Sequence, residues 1–295
     1  MNKHKQTQVW INRLINTLFG LAILGILYVF AQVFLIASFK IPSDSMSPEL
    51  IKGDFVWVWK PTIGPRIFNI FASMKGKQVD IHRCPGFKNI QRNDVLVFNY
   101  PYSEWDKWDK IEMHILKYYI KRCIALPGDT LSIRDGLYEI GNSKVLVGNI
   151  ESQKRIVTFN LDKLPKDQFC TLPYDSILQW NIKDFGPMYI PRQGDSIPMN
   201  RTNYLLYKRL IEWEQKDTLI YNNNKILLHK LPLKGYRFKN NYYFMGGDNS
   251  MSSVDSRFWG LVPEEYVVGK AWVIWKSISP NTGKMRWNRF FKPIH

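Results

Sequence analysis

Cysteine is nearly absent from this 295-residue sequence: there are three, Cys84, Cys123 and Cys170. An odd number without a CxxC pair excludes a disulfide framework and argues against a structural metal site. No metal and no cofactor is expected. Ordinary thiols are the simplest reading, and a single disulfide stays open. Acidic residues are also short, 25 against 41 basic ones, for a formal charge of +16. That balance suits either nucleic acid or an anionic membrane surface. Zinc-finger spacing, a helix-turn-helix pattern and a basic recognition helix are all missing, so nucleic acid is not expected as a partner. Repeats and low-complexity tracts are missing too. With 45% apolar and 15% aromatic residues, a sizeable core is expected instead of disorder.

Charge is missing altogether from Leu14 to Phe39, and Leu18 to Ala31 has no polar group beyond the Tyr28 hydroxyl. As a helix, roughly 26 residues at about 1.5 Å each exceed the roughly 30 Å hydrocarbon core of a bilayer. A cleaved signal peptide would have a shorter apolar core and a small-residue cleavage site. The run instead leads straight into Ile41-Pro42-Ser43. An uncleaved transmembrane anchor over 14–39 is expected. Lys3, Lys5 and Arg13 precede it without an acidic neighbour, which places residues 1–13 in the cytoplasm and the rest of the chain outside. Lys40, on the exported side, counts mildly against that orientation.

Beyond the anchor, short apolar runs alternate with turn signals, as in 55–59, 94–98 and 266–268. This is the pattern of a mainly β domain. The run 271–275 is too short to span a membrane and reads as a strand. The expected division is a main β domain from 40–130 and 242–295, with 131–241 inserted as a smaller subdomain. A shorter insertion, 61–91, carries Ile67-Phe68-Asn69-Ile70-Phe71, which suits either the core or a membrane surface.

Three segments carry chemistry. Pro42-Ser43-Asp44-Ser45-Met46-Ser47-Pro48 follows the anchor; alone, it reads equally as a Ser/Pro linker. Tyr119-Ile120-Lys121-Arg122-Cys123 is an apolar, strand-like run that holds a lysine and ends in the turn Pro127-Gly128-Asp129. Alternation puts Lys121 on a buried face and Arg122 in solvent. Burial is what a lysine base requires, because at an ordinary pKa near 10.4 only about one in 2,500 is neutral at pH 7. Alone, Lys121 reads more readily as a lysine that snorkels to water. Gly246-Gly247-Asp248-Asn249 and Ser253-Val254-Asp255-Ser256-Arg257 read as a polar surface loop. If extended, it carries Ser253, Asp255 and Arg257 on one face, with Asp255 and Arg257 able to pair. Its spacing does not match an EF-hand. The histidines, at 4, 82, 114, 229 and 295, lie in no recognisable catalytic context. A Ser-His-Asp triad is not excluded, but nothing supports it.

Taken together and in order, these segments resemble the boxes of the type I signal peptidases, the bacterial leader peptidase family. Residues 42–48 resemble its nucleophile box, Gly53-Asp54-Phe55-Val56 the strand box that follows, 119–129 the lysine box, and 247–257 the last box. The resemblance implies a membrane-bound serine endopeptidase of the bacterial cytoplasmic membrane. Its catalytic domain would sit on the outer face and remove signal peptides from exported preproteins with small residues before the cleavage site. It further implies Ser45 as nucleophile, Lys121 as general base and Ser253 as the residue that hydrogen-bonds and orients the lysine. The oxyanion would be held by the Ser45 N–H and the Ser43 hydroxyl. Asp255 and Arg257 would support the site, and Ile41, Pro42 and Ile120 would line the substrate pockets. Membrane lipid is the other expected partner, met by exposed Trp and Lys side chains. Glu49 (where Thr is usual), Ala125 (Gly) and Asn93 (Gly) depart from the family pattern, and none touches the dyad. No motif covers 131–241. A self-cleaving repressor would need a DNA-binding domain that this sequence lacks. An inactive membrane-tethered binding module is disfavoured by the complete boxes.

Overall fold

The computed structural model describes residues 3–75, 79–104, 106–141, 143, 145–160 and 169–295. The first two residues of the expected cytoplasmic stretch lie outside the described residues, as do parts of the expected 61–91 and 131–241 insertions.

Helix α1 runs Lys3–Phe34. Its Thr7–Phe34 portion, mean hydropathy 2.2, is long and apolar enough to cross a membrane and is not packed inside the protein. The helix stops short of the expected residue 39. Ile36–Lys40 forms strand β1 instead. It pairs antiparallel with β2, Asp54–Trp59, from Ile36 opposite Trp59 to Lys40 opposite Phe55. Apolar composition conceals this boundary, because the ladder that satisfies the β1 backbone comes from a strand beyond the next turn.

The remaining strands of the main sheet are β3 (Val95–Tyr100), β4 (His114–Ala125), β5 (Tyr242–Gly246), β6 (Val262–Pro263), β7 (Val267–Ser277) and β8 (Lys292–Pro293). Their order is β1-β2-β7-β3-β4-β5-β6, with β8 on β7. Every pairing is antiparallel. The architecture is mainly β behind one apolar helix, and 271–275 lies in a strand as its composition suggests. In β2, Asp54, Val56 and Val58 point inward, while Phe55, Trp57 and Trp59 are half-buried on the other face. Strand β3 is buried on both faces. Val95 and Val97 meet a small cluster with Ile41, Met46 and Leu50, and Leu96 and Phe98 meet the large one.

Between β4 and β5, Thr130–Arg134, Leu137–Ile140 and Phe185–Tyr189 form a three-stranded sheet. Helix α2 (Ile150–Val157) lies between its second and third strands in sequence, and helix α3 (Arg201–Gln215) follows the third. The large cluster continues from Leu96, Phe98 and Ile124 of the main sheet to Leu131, Phe185, Leu210 and Phe238 of this region. The 131–241 segment therefore shares one core with the main sheet. In the shorter insertion, Ile67 and Phe71 are exposed and not part of the core.

Candidate active site

The turn that carries Ser45 follows β1 and is pinned on both sides. Ile41 N–H donates to Asp54 O and Gly53 N–H to Ile41 O, which closes 41–53 against the start of β2. Asp44 Oδ1 accepts the Lys52 N–H at 2.9 Å. Met46 and Leu50, four residues apart, are buried in the small cluster. The segment is therefore not a loose Ser/Pro linker. Ser45 is half-buried, and its N–H has no partner among the described residues. Its carbonyl accepts the Asn249 N–H at 3.0 Å, and Asn249 Nδ2 reaches Asp44 O at 3.3 Å. The Ser43 hydroxyl lies 3.4 Å from Ser45 Oγ.

Lys121 enters from β4, opposite Leu96 of β3. It is 3% exposed, and its Nζ lies 2.5 Å from Ser45 Oγ. Burial pulls its pKa from 10.5 down to about 8; Asp255 and Asp248 oppose that shift and Arg257 adds to it. The lysine therefore faces the serine with its charged form disfavoured. That is the condition under which an amine accepts a hydroxyl proton near neutral pH.

Arg122 departs from expectation. It points away from Lys121, as strand alternation demands, but it is buried and not solvated. Its guanidinium donates to both Asp248 oxygens at 2.6 Å, and also to Asn93 O and His295 O. The far half of β4, from Lys121 to Ala125, is buried on both faces, so the charge needs a buried partner. This pair ties the lysine strand to the loop that holds Ser45.

That loop is neither extended nor on the surface. Ser250–Ser252 forms a 3-10 turn and Ser256–Trp259 a helical turn capped by Asp255. Asp255 and Arg257 do pair, at 2.8 and 2.9 Å, with both fully buried. Burial pushes the Asp255 pKa up, yet Arg257, the Gly247 N–H and Lys121 together hold it below the ordinary value. Arg257 also donates to Ser250 O at 2.7 Å. The expected Ser253–Lys121 hydrogen bond is not made: Ser253 Oγ is buried without a partner. Its neighbour is Gly247, where an added Cβ would lie 2.0 Å from Ser253 Oγ and 2.7 Å from Ser45 O. Only glycine lets these groups approach.

Of the expected pocket residues, Ile41 is buried, Pro42 exposed and Ile120 half-buried against the small cluster. Among the departures from the family pattern, Asn93 takes a left-handed φ of 71°, a conformation asparagine tolerates. Glu49 accepts the His295 N–H at 3.0 Å. Arg92 and Asp129 pair at 2.6 Å across the end of the lysine box. Among the described residues no histidine bonds to Ser45 and no His/Cys/Asp/Glu group could hold a metal ion. Sequence reasoning missed the bridging role of Asp248 and Arg122 and the close approach at Gly247. The paired glycines before Asp248 were the available signal.

Residues 12–276 match the family described as signal peptidase, peptidase S26. A signal peptidase I of Buchnera aphidicola subsp. Schizaphis graminum is 30% identical over 251 residues, covering 83% of this chain and 69% of that protein. The counterpart in Buchnera aphidicola subsp. Acyrthosiphon pisum is 29% identical over 269 residues, covering 86% and 74%. A signal peptidase I of Helicobacter pylori is 28% identical over 300 residues, covering 91% and 89%.

Proposed function

The chain belongs to the signal peptidase family, peptidase S26, and on that premise we propose that it cleaves signal peptides from exported preproteins with a Ser45–Lys121 dyad. The observation that carries this reading is the 2.5 Å approach of Lys121 Nζ to Ser45 Oγ, with the lysine buried. Neutral Lys121 takes the Ser45 proton as Oγ attacks the carbonyl carbon of the scissile bond. The Ser45 N–H and the Ser43 hydroxyl hold the oxyanion, each donor worth about 3 kcal/mol in comparable sites. Lys121 returns the proton to the leaving amine as the C–N bond breaks. It then deprotonates a water that attacks the acyl-serine ester, and returns that proton to Ser45 Oγ as the ester C–O bond breaks. Asp255 and Arg257 hold the loop from within. Ile41, Pro42 and Ile120 line the pockets that select small residues before the cleavage site.

The apolar α1 supports a single-pass anchor in the bacterial cytoplasmic membrane, N-terminus inside, with lipid as the second partner. The regions 40–130 and 242–295 form the catalytic domain around the site, and 131–241 is the inserted part. The test is cleavage of a preprotein with an Ala-x-Ala site by the full chain in detergent. Ser45→Ala and Lys121→Met should each abolish turnover while circular dichroism stays unchanged. Retained cleavage in either folded variant rules out the dyad.

A further inference from the structure

The last turn of α1 ends on the main sheet, and one residue outside the active site makes that junction. The final carbonyls of a helix lack intrahelical donors and need partners. Here Ala31 O accepts the Leu35 N–H. Gln32 O and Val33 O both accept from Lys60 Nζ, at 2.6 and 3.1 Å. Leu35 O accepts the Lys60 backbone N–H at 2.9 Å. Lys60 thus caps the helix with its ammonium and continues the β1–β2 ladder with its backbone. A cation at this end also meets the negative pole of the helix. Lys60 follows directly on Trp59, which pairs with Ile36. A single residue, Leu35, separates helix from strand.

The consequence is geometric. Strand β1 runs from the cap to Lys40, and Ser45 follows in the next turn. Five residues at roughly 3.4 Å each make β1 a rigid spacer of about 17 Å between helix end and nucleophile turn. With the helix end locked, the position of Ser45 relative to the membrane face is set by the fold. Without the lock, Leu35 is a one-residue hinge. We propose that Lys60 is a positioning residue. It fastens the anchor helix to the catalytic sheet and so fixes the reach of Ser45 toward substrates whose scissile bond is itself held at a set depth by an apolar helix. This rests on the signal-peptide-cleaving reading above. A soluble peptide diffuses to the site freely and gains nothing from the lock; a membrane-embedded preprotein does.

The full chain, reconstituted in vesicles of phosphatidylethanolamine and phosphatidylglycerol, tests this with two substrates and one exchange measurement. Lys60→Met keeps the alkyl stem and removes the donors; Lys60→Arg keeps donors and charge. Lys60→Met should slow cleavage of a vesicle-inserted preprotein by roughly tenfold and add products cut at neighbouring bonds. Hydrolysis of a short Ala-x-Ala peptide should stay within about twofold, and Lys60→Arg should restore preprotein cleavage. Amide hydrogen exchange of 31–36 should quicken by roughly tenfold in Lys60→Met. Unchanged exchange there overturns the lock whatever the activity. Equal loss on peptide and preprotein, or no loss on either, overturns the positioning role. A wild-type protein that cuts neither substrate, with exchange responding as expected, refutes the peptidase reading and with it the positioning role, and leaves only the cap.

Discussion

Lys121 Nζ and Ser45 Oγ stand 2.5 Å apart although 76 residues separate them in sequence. The lysine comes from a central strand and the serine from a turn after an edge strand, and the 246–260 loop bonds to the serine and to Arg122 beside the lysine. In the proposed dyad, Lys121 imposes its own titration on the reaction. It works only when neutral, so kcat/KM should rise with pH and level off above about 8, the value to which burial lowers Lys121. At pH 7 a pKa of 8 leaves about one lysine in ten neutral, so activity there should be roughly a tenth of the plateau. A pH profile of peptide hydrolysis checks this. A profile flat from pH 6 to 9 would count against Lys121 as the base.

The same shift is a stability statement. The folded-state pKa of Lys121 lies below its ordinary 10.5. Below pH 8 the lysine is charged both folded and unfolded, and the folded state carries the burial penalty in full, about 3 kcal/mol. Between pH 8 and 10.5 the folded protein releases the proton first, and stability is regained. Lys121→Met removes the penalty at every pH. The variant should be inactive yet more stable than wild type at pH 7, and that gap should narrow by roughly 1 kcal/mol by pH 9. Denaturant midpoints of the two proteins at both pH values measure it.

The Arg122–Asp248 pair should matter for folding more than its distance from the reacting atoms suggests. Both side chains are buried and joined by two bonds of 2.6 Å. Asp248→Asn leaves the guanidinium charge buried without its carboxylate, a change that costs about 3–5 kcal/mol. Urea unfolding should register that loss. An unchanged midpoint would mean that Arg122 finds enough compensation in Asn93 O and His295 O.

What the sequence made legible was local. The Ser45 box, the lysine in an apolar run and the Asp255–Arg257 spacing each carry their signal within a few residues. Several departures arose from pairing across the chain. The apolar run through Phe39 hid the end of α1 because residues 36–40 hydrogen-bond to β2. Arg122 read as solvated because alternation gives a direction but not what lies there, and its partner is 126 residues away. The 246–260 loop read as surface because its charged residues find their partners inside the fold, Asp255 with Arg257 and Asp248 with Arg122. The 131–241 region stayed opaque because its buried residues join a core whose other half lies in the main sheet.

Gly247 offers the sharpest separation of catalysis from folding. A methyl group there would lie 2.0 Å from Ser253 Oγ and 2.7 Å from the carbonyl of Ser45. Neither distance is tolerable, so Gly247→Ala must displace Ser253, Ser45 or both. Ser253 is buried against the loop that Arg257 braces, whereas Ser45 sits in a half-buried turn, which makes the serine turn the softer neighbour. A displacement of about 1 Å at a nucleophile lowers turnover by roughly a hundredfold. The main sheet, which does not pass through this contact, should be little affected. Gly247→Ala should therefore lose about two orders of magnitude in kcat on peptide and preprotein alike, with a melting temperature near that of wild type. A variant that keeps its kcat would mean the loop yields instead of Ser45, and the Gly247 contact would then have no part in placing the nucleophile.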